Sequence, residues 1–148
     1  MRVLLADDHD FVRLGLRTVL AEEGAFDIVA EESEGNGALA AILRLVPDVA
    51  VLDIEMPGLT GLEIAGAVSS RHLPTSVLVL SMHKEDAFVL AALAAGVEGY
   101  VLKEDAPEEL LAAVRAAARH ELYLSKGLSA ALAEPERARR AARGGAAR

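Results

Sequence analysis

The chain has 148 residues and a mass of 15.5 kDa, enough for one ordinary domain with little to spare. Hydrophobic residues make up 53%, which excludes disorder of the whole, yet aromatics supply only 3% and Trp is absent, so Ala, Leu and Val must fill the core. Cys is absent, which removes disulfide scaffolds, thiol nucleophiles, thiolate zinc sites and iron–sulfur clusters and fits a reducing cytoplasm. The formal net charge of −8 resolves into +4 over residues 135–148 (Arg137, Arg139, Arg140, Arg143 and Arg148 against Glu136) and −12 over the rest.

At the N-terminus, Val3-Leu4-Leu5-Ala6 gives way at once to Asp7-Asp8, too soon for a signal-peptide core. No run approaches the about 20 apolar residues of a membrane helix. A soluble cytoplasmic chain with no membrane partner is expected.

Val3–Ala6 predicts a first strand, followed by a helix over 11–22 with Asp10 as its cap and Gly24 at its left-handed end. Phe26–Ala30 predicts a second strand, closed by Glu31-Glu32, and a helix follows over 36–46. Val49–Leu52 predicts a third strand ending in Asp53; Met56-Pro57-Gly58 shapes the turn into a helix over 60–70. Val77–Leu80 predicts a fourth strand ending in Ser81, with a helix over 84–95 closed by Gly96. Gly99–Leu102 predicts a fifth strand ending in Lys103, then a helix over 107–119, with Pro107 in its first turn and Glu108 and Glu109 beside its positive end.

Strands one, three and four are continuously apolar, which marks a parallel sheet covered by helices on both faces. The expected fold is a doubly wound α/β domain over residues 1–120, with 121–148 a linker or basic tail. The tail reads as a solvated extension, because a nucleic-acid arm would interleave aromatics with its arginines.

Ligands of such sheets sit outside the carboxyl ends of the strands. Asp7-Asp8, Asp53, Ser81 and Lys103 all arrive there, each directly after a hydrophobic strand. Carboxylates crowded together repel one another unless a cation joins them. Oxygen ligands without cysteine select a hard ion such as Mg²⁺. Lys103 and Ser81 add an ammonium and a hydroxyl for phosphoryl oxygens, and a carboxylate is a competent nucleophile towards phosphorus. These residues write phosphoryl transfer to an aspartate.

Four motifs carry a family resemblance: Leu4-Leu5-Ala6-Asp7-Asp8-His9; Leu52-Asp53-Ile54-Glu55-Met56-Pro57-Gly58 with Gly61; Leu80-Ser81-Met82-His83; and Gly96-Val97-Glu98-Gly99-Tyr100-Val101-Leu102-Lys103. In this order and register the sequence resembles the receiver domain of bacterial two-component response regulators, over residues 1 to about 120. The resemblance implies a flavodoxin-like (βα)₅ fold with strand order 2-1-3-4-5. It implies Asp53 as phosphoacceptor, served by the phosphohistidine of a sensor histidine kinase. Asp7, Asp8, Asp53 and the Glu55 backbone carbonyl would hold Mg²⁺. Ser81 and Lys103 would bind the phosphoryl oxygens, and Tyr100 would turn inward as Ser81 is drawn to the phosphate. Such a chain is a signalling phosphoacceptor, not an enzyme, and is expected to form a phosphorylation-dependent homodimer.

Leu80-Ser81-Met82-His83 and the ending Glu121-Leu122-Tyr123-Leu124-Ser125 resemble receivers of the LuxR/NarL type, which precede a helix-turn-helix module. Lys126–Arg148 is too short for that module, so the chain reads as a longer transcription regulator cut in its linker; DNA would be bound only through the output domain. The alternative is a stand-alone receiver acting through protein contacts in a phosphorelay.

Other readings weigh less. A haloacid-dehalogenase-like phosphatase would place its nucleophile after strand one, with a second acid two residues on, and would add a cap insertion. A flavodoxin-like electron carrier needs a hydroxyl- and Gly-rich phosphate loop and flanking rings, where this chain has Asp7-Asp8-His9-Asp10. His9, His72, His83 and His120 lack metal spacing and read as local polar residues. Met82 stands where the family often has a small residue, and Glu55 and His83 flank the site at positions the family uses to tune dephosphorylation.

Overall fold

The computed structural model describes residues 1–128. Strands and helices alternate as β1 (Arg2–Ala6), α1 (Asp10–Glu23), β2 (Asp27–Glu32), α2 (Gly35–Leu45), β3 (Val49–Asp53), α3 (Gly61–Ser70), β4 (Ser76–Ser81), α4 (Asp86–Ala94) and β5 (Gly99–Leu102). A 3₁₀ turn (Lys103–Asp105), α5 (Ala106–Ala118) and a two-residue β6 (Tyr123–Leu124) complete them. The sheet is parallel throughout, in the order β2-β1-β3-β4-β5-β6. The doubly wound order read from the sequence is present. It gains one strand, because residues just after α5 fold back along β5 instead of leaving the body.

Alternation along each strand divides the core in two. Leu4, Ala6, Ala50, Leu52, Val77, Val79, Tyr100 and Leu102 point to the face covered by α2, α3 and α4. Val3, Leu5, Val49, Val51, Leu78, Leu80 and Val101 point to the face covered by α1 and α5. Both faces need apolar side chains, so the central strands read as unbroken apolar runs. At the edge, β2 stays partly exposed and carries Asp27, Glu31 and Glu32, charges that discourage pairing with another sheet.

The helix ends follow their local chemistry, with one correction. Gly24 and Gly96 lie in the left-handed region (φ 66° and 100°), and Pro107 sits in the first turn of α5. Thr60 and Glu63 form a capping box at α3, each side chain bonding the other's backbone N–H at 3.1 Å. Asp10 does not cap α1. His9 holds the cap position, with no side-chain cap bond, and Asp10 lies in the first turn, where its charge still faces the positive helix end.

The entry of α2 is packed against the loop that follows β3. The Gly35 N–H donates to the Pro57 carbonyl at 2.9 Å, and a Cβ at Gly35 would stand 1.8 Å from the Leu59 carbonyl oxygen. Gly35→Ala must push backbone away from backbone. It is expected to destabilise the chain by about 1–3 kcal/mol in urea unfolding, the range of overpacked cores; an unchanged midpoint would contradict the close approach.

Candidate functional site

The carboxyl edge of the sheet gathers the predicted residues. β1 delivers Asp7, fully buried, and the more exposed Asp8; β3 delivers Asp53, 2% exposed; β4 delivers Ser81, also 2% exposed. Lys103 enters from the end of β5, two strands away from β3, and its Nζ reaches Asp53 Oδ2 at 2.8 Å. The other Asp53 oxygen, Oδ1, accepts the Glu55 N–H at 3.1 Å. The residues Asp8, His9, Asp53, Glu55, Ser81, Met82 and Lys103 line an open cleft of ≈ 180 Å³, room for a phosphoryl group with waters.

Charge is unbalanced here. Three carboxylates face one ammonium. Burial pushes the Asp53 carboxyl above its ordinary range; the Lys103 and Glu55 hydrogen bonds oppose this, while the Asp7 charge adds to it. Burial alone would lower the Lys103 ammonium, but the Asp53 hydrogen bond and the charges of Asp53, Asp7 and Asp8 outweigh it and hold it above the usual lysine range.

Asp7, Asp8, His9 and Asp53 each offer a ligand atom, all within 4.8 Å of one another. Asp7 Oδ2 is buried with no hydrogen-bond partner among the described residues, and Lys103 Nζ stands 3.7 Å away. A buried acceptor without a donor, beside two further carboxylates, suits a hard cation.

Two histidines do more than local polar residues would. His9 donates its backbone N–H to Asp7 Oδ1 at 2.8 Å, and its Nδ1 lies 3.2 Å from Asp7 Oδ1 and 3.1 Å from Asp8 Oδ1. His83 Nε2 meets Glu55 Oε1 at 2.7 Å, joining the loops after β3 and β4 at the cleft's rim, and its ring stacks on Phe88 with centroids 4.1 Å apart. The His83 peptide also links two predicted residues: its N–H donates to Ser81 Oγ at 3.0 Å, and its carbonyl accepts the Tyr100 hydroxyl at 2.7 Å. Sequence reading paired Ser81 with Tyr100 but missed this bridge; the signal lay in the spacing, since Ser commonly bonds the N–H two residues on. Tyr100 is fully buried, because its ring completes the core and its hydroxyl has an acceptor. Met82 stands exposed on the rim.

The sequence matches the response regulator receiver domain family over residues 3–115, and the chain belongs to that family. It is 39% identical over 141 residues to the "Probable transcriptional regulatory protein NarL" of Mycobacterium tuberculosis, covering 95% of this chain and 65% of that one. Against the nitrate/nitrite response regulator protein NarL of Escherichia coli it is 36% identical over 139 residues, covering 94% and 64%. The chain thus spans just under two thirds of the length of these relatives. Among solved structures, the signal receiver domain of the Mycobacterium tuberculosis NarL superposes with a TM-score of 0.77 at 42% identity, covering 80% of this chain and 95% of that one.

Receiver domains are signalling phosphoacceptors, not enzymes in the ordinary sense, and hold Mg²⁺ in an acidic pocket. This chain has an Asp-rich cluster at the carboxyl edge of its sheet. Among the described residues no helix is long and apolar enough to cross a membrane.

A carboxyl raised above its unfolded value binds its proton more tightly in the folded state. Stability therefore falls as pH rises through that window, and at neutral pH the Asp53 charge opposes folding. In metal-free buffer at neutral pH, Asp53→Asn is expected to raise Tm by a few degrees, the gain shrinking as pH drops below the folded Asp53 value. Mg²⁺ should then stabilise the parent chain more than the variant. Scanning calorimetry with and without Mg²⁺ checks both; a variant less stable than its parent at neutral pH would be the contrary result.

Proposed function

We propose that Asp53 is the phosphoacceptor of a two-component signalling protein, charged by the phosphohistidine of a sensor histidine kinase. The Lys103 contact with Asp53 carries this reading: a buried carboxylate held by an ammonium at 2.8 Å, on the floor of an open cleft. An Asp53 oxygen attacks phosphorus, the phosphorus–nitrogen bond of the donor breaks, and the imidazole leaves with the bonding pair and takes a proton from solvent. Lys103 stays beside Asp53 and offsets charge on the transferred group, while the Ser81 hydroxyl donates to a phosphoryl oxygen. Asp7, Asp8, Asp53 and the Glu55 backbone carbonyl would hold Mg²⁺, which supplies charge neutralisation to both carboxylates and phosphoryl group. Ser81, drawn towards the new oxygens, pulls on the His83 peptide and through it on Tyr100; this is the switch.

The receiver unit spans 1–120, and 121–148 leads onward, its first residues folded back on the sheet. Resemblance to LuxR/NarL-type regulators supports transcription control by a full-length cytoplasmic protein, with DNA bound by an output module and a homodimer formed on phosphorylation. The basic tail lies outside the described residues.

With acetyl phosphate and Mg²⁺, intact-mass measurement should show one added phosphoryl group. Asp53→Asn should show none, and Lys103→Ala should be labelled at least 10²-fold more slowly, about the scale of losing one preorganised charge contact. Labelling of Asp53→Asn to the parent level would remove Asp53 from its role. In size-exclusion chromatography, beryllofluoride with Mg²⁺ is expected to shift the chain towards a dimer; identical profiles would exclude phosphorylation-dependent dimerisation through this chain.

A further inference from the structure

After α5 the chain reverses at His120, in the left-handed region at φ 58°, and runs along β5 as β6. Ser125 follows directly and is 3% exposed. Its backbone N–H donates to the Tyr100 carbonyl at 3.0 Å. Its hydroxyl oxygen accepts the Leu102 N–H at 2.9 Å, where β6 has already ended. A side chain thus takes the place of a strand partner for the last residue of β5.

The next residue is Lys103. Pairing of β5 with β4 stops at Ser81 and Leu102, and the chain then enters the 3₁₀ turn Lys103–Asp105. On the β6 side, the Ser125 hydroxyl is the last ladder-like bond before the lysine that reaches Asp53. The segment is secured beyond Ser125 as well: the Lys126 N–H donates to the buried Glu109 carboxylate at 3.0 Å, and Leu128 is buried in the core.

We propose that Ser125 is a positioning residue for the phosphoacceptor site, its hydroxyl fixing the end of β5 so that Lys103 stays aimed at Asp53. The inference rests on the phosphoacceptor reading of Asp53 and Lys103. It adds that the segment leaving the domain is tied, through one side-chain bond, to the backbone of the site's only ammonium among the described residues. With alanine at this position the Leu102 N–H is buried without an acceptor, the strand end relaxes, and Lys103 loses its fixed origin. Loss of aim, not of charge, is the consequence, so binding of a phosphoryl mimic suffers beyond any loss of stability.

The test compares Ser125→Ala, Ser125→Thr and Thr75→Ala in the full chain. Thr75 is a matched control: its buried hydroxyl bonds the Pro47 carbonyl at 2.7 Å, at the opposite end of the sheet. Urea unfolding, beryllofluoride affinity with Mg²⁺, and the NMR signal of the Lys103 side-chain amine are read for each. Both alanine variants should lose similar stability. Ser125→Ala alone should weaken beryllofluoride binding about tenfold, about one hydrogen bond's worth of aim, and move the Lys103 signal, with Ser125→Thr restoring both. Parent-like binding and an unmoved Lys103 signal in Ser125→Ala overturn the inference, as does equal weakening in Thr75→Ala. A parent chain that takes no phosphoryl group overturns the phosphoacceptor reading itself; a parent chain labelled at Asp53 beside an unaffected Ser125→Ala overturns only the role of Ser125.

Discussion

The contact between Lys103 and Asp53 is the constraint around which the carboxyl edge of this sheet is arranged. A carboxylate with 2% exposure is costly to keep ionised, and the ammonium that makes it tolerable comes from two strands away. The two groups meet only if β3, β4 and β5 are in correct register. Asp53 pairs with Leu80, and Ser81 with Leu102, so one chain of strand partners sets Asp53, Ser81 and Lys103 on a common edge. A slip of one residue would send each side chain to the other face of the sheet. The apolar filling of both faces forbids that slip, because it would exchange the two cores, and the hydrophobic pattern thereby fixes the polar site.

That coupling explains why so much was legible. Strands buried on both faces leave continuous apolar runs, and the first polar residue after each run falls at the sheet edge by construction. Asp7, Asp53, Ser81 and Lys103 were found in this way, from position and not from any property of the single residue. What escaped depends on tertiary placement. β6 is two residues long, and Tyr123-Leu124 has no periodicity to read; it is a strand only because β5 offers an open edge. His83 looked like a stray histidine because its contribution lies mostly in its peptide and in partners 28 and 17 residues away in the chain, Glu55 and Tyr100. Asp10 satisfied the composition rule for a cap, but the chain turns one residue earlier, where Asp7 Oδ1 takes the His9 N–H.

The electrostatics of the pocket give direction to what it does. With three carboxylates against one ammonium, the cluster holds excess negative charge, part of it on Asp7 Oδ2, which has no hydrogen bond among the described residues. This excess disfavours folding and favours a cation, so the site is poised for binding at the expense of stability, as functional sites are. An acyl phosphate on Asp53 would add roughly one further negative charge, taking the phosphate convention of about −1.5 to −2. Lys103, within reach of Asp53 and Asp7, would meet part of that charge from where it stands.

In the proposed mechanism Ser81 is the second group that would meet the new charge. Its oxygen accepts the His83 N–H and its side chain also meets the Tyr100 hydroxyl, so turning towards new oxygens on Asp53 would draw on that contact. A hydroxyl that swings while its oxygen still holds the His83 N–H would pull on residue 83, whose carbonyl holds the Tyr100 hydroxyl. Tyr100 sits within β5, paired with Val79 of β4 on one side and accepting the Ser125 N–H on the other. Packed interiors respond to such a pull by discrete rearrangement more than by gradual strain. Hydrogen bonds therefore run without a break from the Ser81 hydroxyl, through residue 83 and Tyr100, to the Ser125 backbone beside β5. The scarcity of aromatics gives this path its definition, because Tyr100 is the only fully buried ring among the described residues.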